Sequence, residues 1–306
     1  MSEPKNQHII PQCYLKQFVD PNTPAGQEPY VWIFERGTKK GKKKSPKNIL
    51  SETDFYTLEV RDGEKDYTIE KTLAQIESEY ATIFDRKIKK KIPLNNYEHL
   101  VLCVFVAAML QRTLKQKENI ERFLDQIISM TEEMEKVHGM PPKKSLELKR
   151  EKENVHKISV IQMIPHIAKI LIRMNLAFFC NKHSSFITSD APCYLFNSRL
   201  QWQRFYGPGL MQKHVEVRMP LSPEIFLCFS WINNLRGYLE IDTDLVHELN
   251  RMTFGHSHRY FIANSPKIKR YWFRRFPLDP VFIWRIIVNE ARIKIGKLKQ
   301  RWKYYV

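Results

Sequence analysis

The sequence predicts an α+β fold, in which a helical middle region packs against a mixed β-sheet in the C-terminal half and a basic C-terminal tail follows. Two observations favour this fold. Between residues 68 and 180 apolar side chains recur at helical spacing, whereas short apolar runs alternate with turn residues after residue 186. The chain has 306 residues, 43% of them hydrophobic and 27% charged, which is the balance of a folded globular protein.

The N-terminal segment predicts a short helix followed by a strand. Pro11 suits the first turn of a helix, because proline lacks the amide hydrogen that such a turn leaves unused. After a proline-rich loop, residues 30–34 form an aromatic and β-branched run typical of a strand. Seven basic residues and no acid lie between Arg36 and Lys47, which predicts an exposed turn that an anion could touch.

The middle of the chain predicts helices of different burial. Residues 68–92 have one apolar face, and residues 96–117 are apolar on almost every side in their first turns, as in a fully buried helix. Residues 118–157 are rich in charge and are divided by a proline pair, so we expect a solvated helical excursion there. Residues 158–180 predict another core helix, kinked at its proline.

The C-terminal half predicts short strands joined by turns. They are expected at residues 186–188, 193–196, 215–219, 225–231 and 259–263. A helix capped by Asp242 or Thr243 should run to about Met252. We therefore expect residues 1–263 to form a single α+β domain and residues 264–306 to form a basic, aromatic extension.

Several classes of protein are not expected from this sequence. The longest uninterrupted apolar run, residues 100–110, is shorter than the roughly 20 residues that cross a bilayer. The first eight residues lack the apolar core of a secretory signal. The five cysteines are scattered and include no Cys-x-x-Cys motif, which is typical of reduced, buried thiols. We expect a cytoplasmic protein.

Positive charge is the outlying property, with a net charge of +17. From Arg251 to the end, fourteen Lys or Arg stand against two acids, and aromatic residues are interleaved with them. Cations hold phosphates and flat rings stack on unpaired bases, so we expect a nucleic acid, DNA or RNA, as partner and no membrane. An acidic protein or a membrane surface would also attract this charge. The candidate contacts are Lys42, Lys43, Lys44, Arg270, Arg274, Arg275, Lys299, Arg301, Trp302 and Lys303.

Two charged residues occupy positions that belong to apolar helix faces. Glu77 lies on the stripe that carries Leu73 and Tyr80, and Arg112 lies four residues after Ala108 on an apolar face. Because a buried charge costs several kcal/mol unless it is paired, we expect Glu77 and Arg112 to face a common polar pocket or each other. A purely structural ion pair is the alternative to a functional site.

Asp190 and His8 are the other two candidates for chemistry. Asp190 follows a predicted strand and precedes Ala191-Pro192, where an acid serves as metal ligand or base, or simply forms an Asx turn. His8 lies just before a helix N-terminus, where a phosphate could bind or where the histidine could make a structural hydrogen bond.

Several segments together resemble an uncharacterised, mainly bacterial family, domain of unknown function 4238. The opening Asn-Gln-His-x-x-Pro-x-x-Tyr-Leu-x-x-Phe spans residues 6–18, and Phe-Ile-Thr-Ser-Asp-x-Pro spans residues 186–192. The resemblance covers about residues 6–263 and implies a single family domain without implying an activity. It does not reach the basic tail. The motif residues that coincide with the polar set are His8, Glu77, Gln111, Arg112, Asp190 and Asn250.

The leading functional hypothesis is a metal-dependent nuclease or phosphodiesterase of a bacterial toxin or defence type. Glu77 and Asp190 would bind Mg²⁺ or Mn²⁺, because these ions take oxygen ligands. His8 would act as general base or ligand, and Arg112 would stabilise charge on the phosphate.

Two alternatives remain open. The chain could bind nucleic acid without catalysis, or it could sense a nucleotide in the same polar pocket, which Gln7, Gln111 and Asn250 would line. A protein partner is a further alternative, and the sequence predicts no oligomeric state.

Overall fold

The protein is α+β, with most strands at the two ends of the described chain and long helices in the middle. The computed structural model describes residues 6–38, 40–59, 64–197, 200 and 208–273. Contacts divide the chain into one unit, Met1–Trp272, and a second that begins at Phe273. The α-helices of the described residues are α1 (Gln12–Leu15), α2 (Thr68–Ile83), α3 (Asn96–Gln111), α4 (Leu114–Val137), α5 (Lys143–Leu171) and α6 (Thr243–His256), and a π-helical segment, Phe84–Ile88, continues α2.

The strands form two larger sheets and two sheets of two strands each. They are β1 (Asn6–His8), β2 (Val31–Glu35), β3 (Lys42–Lys44), β4 (Ser51–Thr53), β5 (Leu58–Glu59), β6 (Lys65–Asp66), β7 (Asn175–Cys180), β8 (Thr188–Ser189), β9 (Tyr194–Phe196), β10 (Glu216–Pro220), β11 (Ile225–Ser230), β12 (Gly237–Glu240) and β13 (Tyr260–Ala263). The pairs are β1 with β4 and β5 with β6, both antiparallel.

The helix α3 is buried on nearly all sides, as its composition predicts. It starts with a capping box, in which the Asn95 side chain accepts from the Glu98 amide and the Glu98 carboxylate accepts from the Asn95 amide. The predicted helix over residues 96–117 is interrupted, because Arg112 leaves helical geometry and Thr113 caps the next helix by accepting from the Gln116 amide. Arg112 therefore lies at the junction of α3 and α4.

The charged excursion is a helical hairpin made by α4 and α5. Gly139 adopts a positive φ of 61° at the end of α4, a conformation that glycine adopts without strain. Glu135 holds the two helices together: its carboxylate accepts from the Lys144 and Ser145 amides and from the Ser145 hydroxyl.

The larger sheet has the strand order β12-β7-β11-β10-β9, with β12 and β7 parallel and the other neighbours antiparallel. The prediction of helix through Cys180 is wrong here, because Asn175–Cys180 is strand β7 and pairs with β11. Four consecutive residues of β7 are buried, and a strand buried on both faces has no alternating pattern that separates it from a core helix.

The smaller sheet has the order β3-β2-β13-β8 and is antiparallel throughout. Phe34 of β2 stacks on Phe261 of β13 at 4.7 Å between ring centroids. A side chain at Gly41 would come within 2.6 Å of the Phe34 ring, so glycine allows the chain to pass close to it. The basic stretch predicted as an exposed turn contains an edge strand, β3.

The described helices fall short of what a bilayer requires of a single spanning helix. In the described part of the chain no single helix is both long and apolar enough to cross a membrane. The pair α3 and α4, bent by 57° at their junction, satisfies the length and composition requirement only when both helices are taken together.

Candidate functional site

The guanidinium of Arg112 is the centre of a buried polar network, and Arg112 is 1% exposed. Its Nη1 donates to Glu77 Oε1 at 2.6 Å, and its Nη2 donates to the His8 carbonyl oxygen at 2.6 Å. Its Nε lies 3.4 Å from the Tyr56 hydroxyl, which itself donates to the Arg112 carbonyl oxygen at 3.1 Å. The network, which we call the Arg112 centre, thus joins β1, α2 and the end of α3.

Local sequence explains how these side chains reach one point. Glu77 shares a face of α2 with the buried Leu73 and Tyr80, so its carboxylate is directed toward the core and its side chain is only 22% exposed. Arg112 follows the last residue of α3, where the chain turns and directs the side chain back toward α2. Because all three guanidinium nitrogens are engaged, Arg112 serves to hold Glu77 and the His8 backbone in place.

Two polar atoms beside this network are buried without a hydrogen-bond partner among the described residues. They are His8 Nε2 and Glu70 Oε2. Glu70 lies seven residues, or two turns, before Glu77 on the same face of α2. Both atoms are closed off from solvent, so the surroundings of the Arg112 centre contain two polar atoms whose hydrogen-bonding capacity is unused among the described residues.

Burial moves the pKa values of these two groups in opposite directions. It lowers the pKa of His8, although the negative charge of Glu77 acts against this change. It raises the pKa of Glu70, against the positive charge of Arg112 and with the help of Glu77. The two shifts have the directions that favour a neutral imidazole, which can accept a proton, and a protonated carboxyl group, which can donate one.

Cys13 is adjacent but is not a candidate nucleophile. Its thiol lies 3.8 Å from the Glu77 carbonyl oxygen, and burial together with Glu77 raises the pKa of Cys13 to about 12. The thiolate is the reactive form of cysteine, and that form is scarce at neutral pH with such a pKa.

Asp190 has a different environment, saturated by backbone amides. It is 3% exposed, and its carboxylate accepts from the His258, Arg259 and Tyr260 amides at 2.8, 2.6 and 2.9 Å. The Asp190 amide in turn donates to the Tyr260 carbonyl oxygen at 3.1 Å. The carboxylate therefore fixes the start of β13 beside β8, and we call this arrangement the Asp190 clamp.

Asn250 and Gln7, which were predicted to line the polar pocket, also form hydrogen bonds with backbone groups. Asn250 on α6 accepts from the Ile187 amide and donates to the Ser185 carbonyl oxygen, both at 2.9 Å. Gln7 accepts from the Tyr56 amide and donates to the Thr57 hydroxyl at 2.8 Å. Gln111 contributes its carbonyl oxygen, which lies 3.3 Å from His156 Nε2.

The described residues do not fit the metal site predicted on Glu77 and Asp190. Glu77 is paired with Arg112, and both oxygens of Asp190 accept from backbone amides. Across the described ranges, no three or more His, Cys, Asp or Glu side chains form a group that could hold a metal ion. The structure brings Glu77, Arg112 and His8 together and assigns Asp190 to separate contacts.

The predicted contacts Lys42, Lys43 and Lys44 make up β3, which we call the lysine strand. All three are exposed at the edge of the smaller sheet, and within the described part of the chain none is paired with an acid. Lys43 Nζ lies 4.6 Å from the Tyr30 ring centroid and 5.3 Å from the Trp32 ring centroid. The strand presents three exposed cations, Lys42 and Lys44 on one face of the sheet and Lys43 on the other.

Of the other predicted nucleic-acid contacts, Arg270 begins a short 3-10 helix, Arg270–Phe273. Nothing is described of the Arg270 side chain. The remaining ones lie outside the described residues: Arg274, Arg275, Lys299, Arg301, Trp302 and Lys303.

Sequence reasoning missed two residues near the Arg112 centre, Glu70 and Tyr56, and one further buried ion pair. Glu70 could have been found from its spacing to Glu77, whereas Tyr56 gave no signal because tyrosine is unremarkable in a core. The third is a second buried ion pair, in which Arg218 donates to Glu216 Oε2 from Nε at 2.7 Å and from Nη2 at 2.6 Å. Arg218 lies within the apolar strand β10, which was a usable signal.

Comparison with known protein families gives a match over most of the chain. A family model described as protein of unknown function (DUF4238) matches residues 6–267. No curated protein and no solved structure matches the chain. The matched range includes the Arg112 centre, the Asp190 clamp and the lysine strand.

Proposed function

Because the chain belongs to the DUF4238 family, whose description names no activity, we propose a function from the chain's own residues: it binds nucleic acid through the phosphate backbone. The observation that carries the proposal is the lysine strand, which places three consecutive exposed lysines on the edge of a sheet. The net charge of +17 favours a polyanion as partner.

The arrangement of the lysine strand favours phosphate contacts over base recognition. Alternate residues of a strand point to opposite faces, so Lys42 and Lys44 share one face and Lys43 lies on the other with Tyr30 and Trp32. Trp32 is already engaged, because its indole nitrogen donates to Asp20 at 2.7 Å and Lys43 lies over its ring. These rings therefore stabilise Lys43 and are poorly placed to stack on bases. We expect binding that is independent of sequence and strongly dependent on salt.

The basic tail is the second part of the proposal. Its interleaved cations and aromatic residues at positions 301–305 would add contacts to phosphates and unpaired bases. The contributions of the tail and of the lysine strand to binding can be tested separately, because substitutions in one leave the other unchanged.

The test is fluorescence anisotropy with labelled single-stranded DNA, duplex DNA and RNA over a range of salt concentrations. The variant Lys42→Gln/Lys44→Gln removes two phosphate contacts, which should reduce the slope of log K against log salt by about 1.8 for duplex DNA and about 1.4 for single strands. The matched control Lys89→Gln/Lys90→Gln removes the same charge from an exposed pair away from β3. A tail variant, Lys299→Gln/Arg301→Gln/Lys303→Gln, tests the second part.

Two outcomes would contradict this proposal. If the control weakens binding as much as the lysine-strand variant, net charge alone causes the affinity. If the wild-type chain binds none of the three nucleic acids at low salt, the chain has another partner.

Turnover of a phosphodiester is a second candidate function, favoured by His8 and Glu70. Each has a buried polar atom without a described partner, and burial shifts their pKa values in opposite directions. In this version His8 would accept a proton and Glu70 would donate one, while Arg112 and Glu77 would position His8.

The experiment is a cleavage assay on the same nucleic acids, with and without Mg²⁺ or Mn²⁺. Cleavage that is lost in His8→Gln and in Glu70→Gln supports turnover, whereas Glu79→Gln is the matched control because nine residues place Glu79 on the opposite side of α2. Loss of cleavage in Asp190→Asn without loss of fold would restore the metal-site prediction. A nucleotide that raises the melting temperature and is not consumed would favour the nucleotide-sensing alternative.

A further inference from the structure

Two cations from distant parts of the chain meet at the C-terminal end of α6. Arg36 Nη1 donates to the Ser257 carbonyl oxygen at 2.5 Å, and Lys115 Nζ donates to the His256 carbonyl oxygen at 2.9 Å. The two carbonyl groups are consecutive along the backbone, so the guanidinium and the ammonium group are neighbours. We call Arg36 and Lys115 the α6-end cations.

Both cations are held in position by their surroundings. The Arg36 guanidinium carbon lies 5.2 Å from the Phe254 ring centroid, and the Arg36 amide donates to the Arg259 carbonyl oxygen at 2.8 Å. Lys115 lies in the first turn of α4 and is partly buried. Groups that are already positioned lose less conformational freedom when a ligand binds, so this pair is prepared for a partner.

The two positive charges oppose each other. Burial lowers the pKa of Lys115, and the positive charge of Arg36 lowers it further, whereas the negative charge of Asp190 acts in the opposite direction. Water screens such repulsion less in a partly buried site than at the open surface. The helix end that both cations bind supplies about half a negative charge, which is less than either cation carries.

No carboxylate of the described residues forms an ion pair with either α6-end cation. Both oxygens of Asp190 accept from backbone amides, and Glu118 is paired with two other residues. After its bond to a carbonyl, the Lys115 ammonium has two further N–H groups and the Arg36 guanidinium has four. These donors have no acceptor among the described residues, so a negatively charged ligand can engage them.

We propose that the α6-end cations bind a phosphate group of a ligand between Arg36 and Lys115. A phosphate group carries negative charge and several acceptor oxygens, so it can accept from both cations at once and relieve their repulsion. The group can belong to a nucleic-acid backbone or to a free nucleotide, because the two present the same chemistry to the site.

The nucleic-acid source rests on the proposed function and extends its binding surface. Arg36 directly follows β2, which pairs with the lysine strand, so the two groups of cations are connected through the smaller sheet. Arg36 also begins the basic stretch of residues 36–47. Phosphate binding at the end of α6 does not depend on the lysine strand, so each proposal can fail without the other.

The first test measures the melting temperature of the full-length chain as inorganic phosphate or ATP replaces chloride at constant ionic strength. We expect both to raise it, because a ligand that binds only the folded chain stabilises that state. Arg36→Gln and Lys115→Gln should each weaken phosphate binding about tenfold or more, because each removes a charge-assisted hydrogen bond. The double variant Arg86→Gln/Lys89→Gln, at two exposed cations, is the matched control and should respond like the wild type.

The second test separates the two sources of phosphate by fluorescence anisotropy with the labelled nucleic acids. If a backbone phosphate is the ligand, Arg36→Gln/Lys115→Gln should reduce the slope of log K against log salt by about 0.9 for duplex DNA, because one phosphate contact is lost. If a free nucleotide is the ligand, the slope should stay the same and the dissociation constant for ATP should rise. Normal nucleic-acid binding by Lys42→Gln/Lys44→Gln, with a reduced slope in Arg36→Gln/Lys115→Gln, would contradict the lysine strand and support the α6-end cations.

Two results would overturn the proposal. In the first, neither inorganic phosphate nor ATP raises the melting temperature, and Arg36→Gln/Lys115→Gln keeps the wild-type slope. In the second, Arg86→Gln/Lys89→Gln weakens phosphate binding as much as Arg36→Gln/Lys115→Gln, so that phosphate acts through net charge alone. If Lys115→Gln does not fold, Arg36→Gln decides the question, because Arg36 is exposed.

Discussion

The Arg112 centre and the Asp190 clamp are both buried charged sites, yet they use their charges differently. Arg112 binds a carboxylate, a carbonyl and a hydroxyl, and it has beside it two buried polar atoms without described partners. Asp190 accepts three amide hydrogens that follow one another in sequence. In both regions a buried charged side chain fixes neighbouring groups through its hydrogen bonds. The difference lies in the partners: the Asp190 carboxylate has backbone amides on both oxygens, whereas unpaired polar atoms lie beside the Arg112 guanidinium.

The largest expected effect is at Arg112. Replacing it by leucine leaves the Glu77 carboxylate and the His8 carbonyl without their donor, and breaking a buried ion pair costs about 3–5 kcal/mol. We expect Arg112→Leu to lower the free energy of unfolding by that amount in urea titrations. Arg112→Lys should recover little, because one ammonium cannot reach all three acceptors. A loss below 1 kcal/mol would contradict the structural role of the guanidinium.

The next effect concerns the Asp190 clamp. Asp190→Ala leaves three amides without their acceptor, and we expect a loss of about 2–3 kcal/mol because water can reach some of them. Asp190→Asn keeps one acceptor oxygen and should fall between the alanine variant and the wild type. Hydrogen exchange of the amides of residues 258–260 should accelerate in both variants. If Asp190→Ala keeps normal stability but loses nucleic-acid cleavage, Asp190 has a functional role and is not a structural clamp.

Acid should act on the clamp region through His256, which stacks on Tyr194 at 4.3 Å. Burial, and then the positive charges of Lys115, Arg218 and Arg36, lower the pKa of His256 to about 3. The unfolded chain takes up the proton first, so this contribution is complete above about pH 6.5 and decreases as pH falls toward 3.

At pH 5 the expected loss from His256 is about 2 kcal/mol relative to pH 7.5. Urea unfolding at pH 7.5 and pH 5 measures this loss of unfolding free energy. We expect the loss on acidification to be about 2 kcal/mol smaller in His256→Phe than in the wild type. An equal loss in the two proteins would show that other groups, such as His156 with its pKa of about 4, carry the acid sensitivity.

The smallest expected effect is at Glu70. Because burial raises the pKa of its carboxyl group, the ionised form is unfavourable there, and Glu70→Gln should stabilise the fold slightly at pH 8. We expect a gain of at most about 0.5 kcal/mol, with less gain at pH 5, where the native carboxyl is more protonated. Destabilisation by the same substitution would show that Glu70 has a structural partner and would remove it from the candidate site.

Local patterns in the sequence predicted many elements near their observed positions. The α+β class and the family are confirmed. The cap at Asp242 is an example of a local rule, because its carboxylate accepts from the Leu245 amide at 2.8 Å. The helix it caps ends four residues later than predicted, at His256.

Errors occurred where the local signal is ambiguous. The segment of strand β7 has a continuous apolar run without a period, and the sheet that pairs it could not be inferred from the segment itself. Three consecutive lysines are not typical of a strand, so composition did not predict the lysine strand. It is a strand because it pairs with β2, with Lys44 opposite Val31. In both cases the pairing with another strand, which the segment's own residues do not reveal, makes the segment a strand.

The sequence by itself determined the amphipathic faces, the helix caps, the excess of positive charge and the positions where a charge would be buried. Only the tertiary structure decided which buried charges meet. Arg112 reaches Glu77 across 35 residues, whereas Asp190 meets amides 68 to 70 residues further along the chain. Periodicity reports which side of an element faces the core, but the partner of a buried charge depends on how whole elements pack, because a hydrogen bond forms only when its two atoms are brought within about 3 Å.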